Sequence, residues 1–336
     1  MDLKRIMKTL ELLAPLSLAA EWDNVGLLVE PSPPHHVDKI LLTNDLTPPV
    51  VQEAVDKNVK LVISYHPPIF VPLKRLSQRS WKERVIVKCV ENRIAVFSPH
   101  TSWDAVNGGI NDWLLKAFDL KDSKPLEAST SLIDGYSHTV SMTVPQKAMP
   151  NLDKLEHTKL ISSCLVEDKA SVNLLCQPCD LVKVITIGKD NDVVDLQAVR
   201  LAETPVPERG SGRLGKLKTP TNLTELISQV KSHLDLPHVR VACPTDYSDF
   251  KVKTVAVCAG SGGSVLKNVT ADLYLTGEMS HHEVLHAVHT NKSVILCDHS
   301  NTERGYFKDM QTKLTNQLPD VTVHISELDA DPLSVV

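Results

Sequence analysis

Hydrophobic residues at helix spacing and at strand spacing alternate over residues 1–120. Apolar residues from Leu3 to Leu13 recur on one helix face, and Pro15 predicts the end of that helix. Thr47 and Pro48 are typical of an N-cap and a first helical position. Short apolar runs predict strands at 40–42, 61–63 and 94–97, and the intervening or following segments predict helices at 47–58, 80–92 and 109–118. Strands that alternate with helices form parallel sheets covered on both faces, so we predict an α/β half.

The same alternation returns from residue 252 onward. Apolar runs predict strands at 252–258, 273–275, 294–297 and 321–325, and periodic segments predict helices at 280–289 and 302–318. The glycine-rich run from Gly260 to Gly263 predicts a flexible loop after the first of these strands. The pattern therefore indicates a second α/β half that resembles the first, again with a mostly parallel sheet.

The middle of the chain has a different period. Residues 139–144 and 182–187 alternate with a period near two, which predicts strands and a β-rich insert over 123–205. Residues 206–243 are transitional, with a mobile loop at 210–215 and a helix at 222–234 capped by Thr221 or Asn222. We therefore divide the chain into 1–122, 123–205 and 206–336.

Composition narrows the class of protein. The 336 residues are 42% hydrophobic and 23% charged, as in an ordinary globular protein of roughly two domains. The net charge of −5 argues against broad nucleic-acid binding, which needs a basic face. No run of about 18 apolar residues predicts a membrane helix, and the N-terminus lacks the apolar region of a secretory signal. Seven cysteines, mostly in apolar runs, indicate buried reduced thiols, so we expect a protein of the cytoplasm and nucleus.

Polar residues follow several of the predicted strands. In open α/β sheets ligands bind beyond the carboxyl ends of the strands, so residues that follow parallel strands converge on one edge. The residues found there are Asn44, Asp45, Tyr65, His66, His100, Asp104, Asp298, His299 and Glu303. This convergence predicts a shared site.

His66, Asp104, His299 and Glu303 form a mixed nitrogen and oxygen ligand set. Such a set suits zinc, iron, manganese or nickel, and we expect one or two ions per chain. The two oxygens of Asp104 could bridge a metal pair that activates water for hydrolysis. His100 is either a further ligand or a residue that orients Asp104.

Two further motifs give weaker alternatives. His282 and His286 match the H-E-x-x-H pattern of zinc proteases with Glu283 between them, and Glu303 could supply a third ligand. The other motif is the C-x-x-C of Cys176–Cys179, which lacks a second pair and lies in the β-rich insert. We interpret it as a turn that carries two thiols.

The glycine-rich loop suggests an anion contact. The backbone N–H groups of Gly260, Ser261 and Gly262 follow a strand and precede a probable helix start, so they could hold a phosphate, with Arg304 as a further contact. No Gly-Lys-Ser/Thr sequence follows, so this is not a Walker A loop. A plain tight turn is the alternative.

Six motifs outside the insert carry a family resemblance. They are EWDNVGLL at 21–28, YHPPIF at 65–70, HTSWD at 100–104, GGIND at 108–112, TGEMSHH at 276–282 and HSNTERG at 299–305. With them the chain resembles the NGG-one-interacting-factor-three-like (NIF-three-like) family, and most closely its animal members. The resemblance covers residues 1–120 and about 206–330.

The resemblance implies a fold of two similar α/β halves, a dimeric or hexameric assembly and a dinuclear metal centre. Carried over to this sequence, the family's ligands are His66, Asp104, His299 and Glu303. The family's first motif has two adjacent histidines, whereas Tyr65 stands first here. A neutral phenol is a weak ligand, so the resemblance leaves the two-metal arrangement in question.

The resemblance implies two kinds of function. Animal members are regarded as transcriptional co-repressors that bind a signalosome subunit, and bacterial members are often labelled GTP cyclohydrolases of a second type. We therefore expect a homo-oligomeric, metal-binding regulatory protein that acts as a co-repressor through protein partners. The alternative is a metal-dependent hydrolase that acts on a nucleotide or another phosphate ester.

Overall fold

Helices and strands alternate along the chain in a mixed α/β fold. The computed structural model describes residues 1–131, 136–148, 155, 157–246 and 248–335. The elements up to residue 131 are α1 (Leu3–Leu13), β1 (Gly26–Val29), β2 (Lys39–Thr43), α2 (Pro48–Asp56), β3 (Leu61–Ser64), α3 (Trp81–Glu91), β4 (Ala95–Ser98), α4 (Thr101–Ala105), α5 (Ile110–Leu115) and β5 (Leu120–Ser131). Of the predicted insert, residues 132–135, 149–154 and 156 lie outside the described part.

The remaining elements begin at residue 138. Those before residue 201 are β6 (His138–Pro145), β7 (Thr158–Val166), β8 (Lys169–Cys176), α6 (Pro178–Asp190) and β9 (Asp195–Arg200). They are followed by β10 (Thr204–Asn222), α7 (Leu223–Leu234), β11 (Arg240–Ala242), β12 (Lys251–Ser261), α8 (Gly263–Leu266), β13 (Leu273–Glu278), α9 (His281–His289), β14 (Ser293–Leu296), α10 (Phe307–Gln317) and β15 (Thr322–Ile325). Within the described residues, no helix is both long and apolar enough to cross a bilayer.

The strands of the described residues form three sheets. The first has the order β1-β4-β3-β2-β15 and the second has the order β11-β14-β13-β12-β10-β5. The central pairs of both sheets are parallel, as predicted. The third sheet, β7-β8-β6-β9, is antiparallel.

By contact density the chain separates into two units. One combines Met1–Ser129 with Pro207–Val336 and contains the first two sheets, and the other is Thr130–Val206. The last strand, β15, pairs with β2 of the first sheet, so that sheet contains strands from both ends of the sequence. The division at 122/123 and 205/206 remains a prediction.

Side chains on successive strand positions bury opposite faces of the first sheet. Ile40 and Leu42 belong to a core cluster that also contains Val255 and Leu275 from the second sheet. Leu41 belongs to a second cluster with residues of α2 and α3. Because both faces are covered, the strands are apolar without interruption, which is why their positions could be predicted.

Several predicted elements differ from the structure: the loop predicted at 260–263 contains the end of β12 and the start of α8, and three further elements differ more. Residues 182–187 are helical in α6, which buries Asp180, Val184 and Gly188 on one face, although β-branched residues suggested a strand. The predicted loop at 210–215 is the middle of β10, where it pairs with β12. The helix predicted from residue 302 begins at Phe307, because two 3-10 turns precede it and Thr302 Oγ1 donates to the His299 carbonyl.

Buried Arg213 explains why the glycine-rich residues 210–215 form part of β10 and not a loop. Its side chain is 2% exposed and donates through Nε and Nη2 to both Asp112 oxygens, at 2.8 and 2.9 Å. Its Nη1 donates to the Gly210 and Gly212 carbonyls, and Nη2 donates to the Val106 carbonyl. The guanidinium therefore satisfies backbone groups of two segments that are distant in sequence.

The thiols follow the expectation only in part. The buried cysteines are Cys89, Cys176, Cys258 and Cys297, whereas Cys164 and Cys179 are exposed. The C-x-x-C motif joins the end of β8 to the first turn of α6, so it connects a strand to a helix. Burial raises the pKa of Cys176 to about 11, which keeps that thiol protonated and poorly nucleophilic.

A buried carboxylate ties the segment after β15 to α2. Glu53 accepts hydrogen bonds from Lys57 Nζ at 2.7 Å, from the Glu327 backbone N–H at 3.1 Å and from the Ser326 hydroxyl. Burial acts to raise the pKa of Glu53, but the hydrogen bonds from Lys57 and Ser326 outweigh it and hold the pKa below its usual value.

We expect Glu53→Gln to lower the free energy of unfolding at pH 7 by about 1–3 kcal/mol, because charge-assisted hydrogen bonds are lost. A carboxylate whose pKa is lowered by folding stabilises the fold at pH values above its pKa in the unfolded chain. This stabilisation is lost as the pH falls through the lowered pKa, so wild type should lose more stability than the variant on acidification. Urea unfolding at pH 7 and in acid measures both effects. The matched control is Glu327→Gln, which removes an exposed partner of the same lysine. Equal effects of the two substitutions would contradict the assigned role of Glu53.

Candidate metal centre

Three side chains with metal-binding atoms meet where strands of the two larger sheets end. Ligand atoms of His66, His299 and Glu303 all lie within 4.8 Å of one another. His66 Nε2 is 3.6 Å from Glu303 Oε2, and His299 Nε2 is 3.4 Å from Glu303 Oε1. The sequence predicts that these three residues converge because each follows a strand. The structure places them in one cluster.

Local backbone geometry positions each imidazole. His66 follows β3, and its N–H donates to the Asn44 carbonyl at the end of β2. His299 follows β14 after Asp298, whose φ of +62° lies in the left-handed region that aspartate tolerates. The turns at the strand ends thus aim both rings at Glu303.

Carboxylates fix the orientation of both rings. Asp45 Oδ1 lies 3.0 Å from His66 Nδ1, and Glu278 Oε2 lies 3.1 Å from His299 Nδ1. Each contact leaves Nε2 free to bind a metal, as in carboxylate–histidine–metal arrangements. Burial acts to raise the pKa of Asp45, but the hydrogen bond and charge of His66 outweigh it and hold that pKa low.

Glu303 is the buried member of the cluster. It is 1% exposed, and burial followed by the Asp104 charge raises its pKa well above the usual value. Asn44 Nδ2 donates to Glu303 Oε2 at 3.1 Å, which favours the ionised form only in part. A bound cation would stabilise the carboxylate that this environment otherwise disfavours.

Asp104 and Tyr65 form a pair beside the cluster. The Tyr65 hydroxyl donates to Asp104 Oδ1 at 2.8 Å. Asp104 itself is outside the group formed by His66, His299 and Glu303. Burial, with the neighbouring Asp104 charge, raises the pKa of Tyr65 well above its usual value, so the phenol stays neutral. Burial also raises the pKa of Asp104. Ligation by Asp104, and with it a second metal position, remains a prediction.

His100 lies next to this pair. The centroid of its ring is 5.4 Å from the centroid of the His66 ring and 5.3 Å from that of the Tyr65 ring. Asp23 Oδ1 is 2.8 Å from His100 Nδ1, so a carboxylate orients this imidazole too. His100 is outside the group of His66, His299 and Glu303, so its role as a further ligand or as a residue that orients Asp104 remains a prediction.

Two features indicate that the cluster fits a metal ion. Asn44 Oδ1 is buried and has no hydrogen-bond partner among the described residues, although the amide adjoins the cluster. At Gly260, where φ is +63°, an added Cβ would lie 2.6 Å from Glu303 Oε1 and 3.0 Å from His299 Nε2. A glycine there keeps the space beside both ligand atoms open. Two imidazoles and one carboxylate are donors that suit a divalent transition metal.

The groups predicted to contact phosphate have protein partners. The Gly260 N–H donates to Thr302 Oγ1 at 2.8 Å, and the Gly262 N–H donates to Thr276 Oγ1 at 3.0 Å. Arg304 Nε pairs with Asp329 at 3.2 Å. Ser261 is exposed at the end of β12. A phosphate contact at these residues remains a prediction.

The H-E-x-x-H segment forms α9 but lacks the arrangement of a protease. Glu283 caps the helix reciprocally with Ser280, whose N–H donates to Glu283 Oε2 at 2.7 Å. That carboxylate therefore serves the helix start, while Glu303 lies with His66 and His299. The geometry gives no support to the protease alternative.

The sequence interpretation missed the residues that orient the imidazoles. The sequence indicates Asp45 only as a residue after a strand, and it indicates Glu278 and Asp23 only as members of motifs. Glu278 is the last residue of β13, so the strand-end rule could have found it. Nothing local could have paired it with His299, which is 21 residues further along.

The chain is similar to proteins of one family over almost its whole length. The family model described as Duf34/NIF3 (NGG1p interacting factor 3) matches residues 1–332. NIF3-like protein 1 of Rattus norvegicus is 42% identical over 100% of this chain and 93% of its own. NGG1-interacting factor 3 of Saccharomyces cerevisiae is 33% identical over 94% of this chain and 90% of its own.

The fold agrees with this assignment. The crystal structure of Staphylococcus aureus protein SA1388 superposes with a TM-score of 0.79 and 23% identity, covering 100% of this chain and 99% of that one. The motifs that flank His66, His299 and Glu303, the match over residues 1–332 and the curated relatives all lead to one conclusion. The chain belongs to the Duf34/NIF3 family.

Proposed function

We propose that this chain is a metal-binding regulatory protein that acts through protein partners. The observation that carries the proposal is the cluster of His66, His299 and Glu303, whose ligand atoms lie within 4.8 Å of one another. Zinc, iron, manganese or nickel fits this donor set, with one or two ions per chain. Asp45 and Glu278 would hold the two imidazoles in the metal-binding tautomer.

The partners proposed are transcriptional regulators and copies of the chain itself. The name of the yeast relative, NGG1-interacting factor 3, supports a role that depends on protein partners. We extend this to a co-repressor that works in the cytoplasm and nucleus, binds a regulator such as a signalosome subunit, and assembles as a dimer or hexamer.

A capture experiment with the His66→Ala/His299→Ala variant tests whether partner binding needs the metal. We expect the metal-loaded wild type to retain a tagged signalosome subunit, and the variant to bind it at least about tenfold more weakly, because the centre holds two strand ends together. The control is His36→Ala/His238→Ala, which removes two exposed histidines. Equal capture by all three proteins would separate the regulatory role from the centre.

A second candidate is a metal-dependent hydrolase that acts on a nucleotide or another phosphate ester. One observation favours it: the His299 side chain is 38% exposed, whereas the Glu303 side chain is buried, so one ligand is accessible to solvent and another is held inside the protein. When bound, the metal would supply Lewis acidity for the attack of water. Of the chain's own residues, Glu303 and the imidazoles would hold the ion, and the neutral Tyr65 hydroxyl would keep Asp104 oriented.

The same proteins used for capture test this candidate. Metal-loaded wild type should release product from GTP or from p-nitrophenyl phosphate, and the His66→Ala/His299→Ala variant should not. If wild type holds its metal and turns over neither compound, the hydrolase candidate fails and the regulatory proposal stands on the capture result.

A further inference from the structure

Helix α9 presents a stripe of histidines to solvent. His282, His286 and His289 are all exposed, and their spacing of four and three residues places them within an arc of about 60°. None of their ring nitrogens has a hydrogen-bond or ion-pair partner in the described part of the chain. Ala287 is the buried residue that anchors the opposite side of the helix.

The backbone that carries these imidazoles is fixed at both ends. Ser280 and Glu283 form the reciprocal cap at the start, and the Thr290 N–H and hydroxyl close the end on carbonyls of the last turn. A Cβ at Gly263 would lie 2.6 Å from both Glu283 carboxylate oxygens, so this side chain packs closely against the start of α8. Metal binding by the stripe would therefore need only side-chain rotation.

The spacing decides which imidazoles can share one ion. His282 and His286, or His286 and His289, are one turn apart, where side chains on a helix meet. His282 and His289 are about 10 Å apart along the axis and cannot chelate one ion together. His286 is thus common to both pairs.

We propose that α9 carries a transition-metal site separate from the centre at Glu303, a two-histidine chelate built on His286 with His282 or His289. Imidazole nitrogens suit zinc, copper and nickel, and solvent would complete the coordination of a surface ion. Within the described residues, the only group of three candidate ligands is His66, His299 and Glu303. On α9 the protein would therefore supply two ligands to an ion and leave its other positions to solvent.

Titration of full-length, untagged protein with Ni²⁺ alone tests this site. We expect His286→Ala to raise the apparent Kd for Ni²⁺ at least about tenfold, because one imidazole no longer adds to the effective concentration of another. The His282→Ala/His289→Ala variant should match it, whereas either single substitution should leave one chelating pair. The matched control is His238→Ala, because this exposed histidine lies outside α9, whereas the His281 ring is in contact with the His282 ring.

Three results would overturn the proposal. The first is Ni²⁺ binding by His286→Ala that equals wild type, and the second is a loss in His238→Ala as large as in His286→Ala. The third comes from repeating the titration with His299→Ala/Glu303→Ala. If that variant lacks the binding phase that depends on His286, the site is not separate from the centre, whereas a retained phase supports the proposal whatever the fate of the centre.

Discussion

The His299→Ala/Glu303→Ala variant is expected to hold less than about 0.2 transition-metal ions per chain, where wild type holds roughly one or two. The substitutions remove two of the three clustered donors, including the only carboxylate among them. The remaining imidazole of the cluster, His66, is not expected to retain an ion through purification, and an ion on the exposed histidines of α9 should exchange into the buffer. Elemental analysis of protein purified without chelators measures the content directly.

The control for this experiment is Glu283→Ala. Its carboxylate caps α9 and takes no part in the centre, so metal content should stay at the wild-type level. Equal loss of metal from both variants would show that the assay reports protein quality and not ligand removal. A wild-type content below about 0.2 ions per chain would refute the centre itself.

Arg213→Met is expected to lower the free energy of unfolding by about 3–5 kcal/mol, the cost of removing one partner from a buried charge pair. The substitution keeps the length of the aliphatic stem but leaves Asp112 without its cation. It also leaves the carbonyls of Gly210, Gly212 and Val106 without the donors that serve them. Urea unfolding at neutral pH, analysed with a common m-value, gives the difference.

An exposed ion pair supplies the comparison. Lys218 and Asp119 are 2.6 Å apart, and both side chains are more than half exposed. Lys218→Met should therefore change the stability by no more than about 1 kcal/mol. If Arg213→Met costs no more than Lys218→Met, the buried guanidinium does not hold β10 to the segment before α5.

Elements whose burial is uniform could be predicted from the sequence. The apolar runs of β2, β3 and β14 are buried along their whole length. An uninterrupted apolar run in the sequence therefore marks the position of each of these strands. The middle of β10 could not be predicted, because its glycines indicate a loop until Arg213 and the pairing with β12 are known. Likewise, Val182–Ile187 alternates like a strand, whereas Pro178 and the buried face of α6 make it a helix.

The candidate site divides in the same way. His66, His299 and Glu303 were predicted because strand ends of parallel sheets converge, a rule that needs no knowledge of side-chain contacts. The pairing of Tyr65 with Asp104, and of Glu278 with His299, depends on distances between segments that only the folded chain defines. Sequence spacing identifies the candidate ligands, and tertiary structure determines their orientation.

The position of β15 has a consequence for synthesis on the ribosome. β2 lies between β3 and β15, so one of its edges is unpaired until residues 322–325 have emerged. A nascent chain that already contains β2, β3 and β4 would expose that edge for the time needed to add more than two hundred residues, and such edges favour aggregation. We expect chains that terminate before Thr322 to depend on chaperones and to be cleared by proteolysis, even though they contain His66, His299 and Glu303.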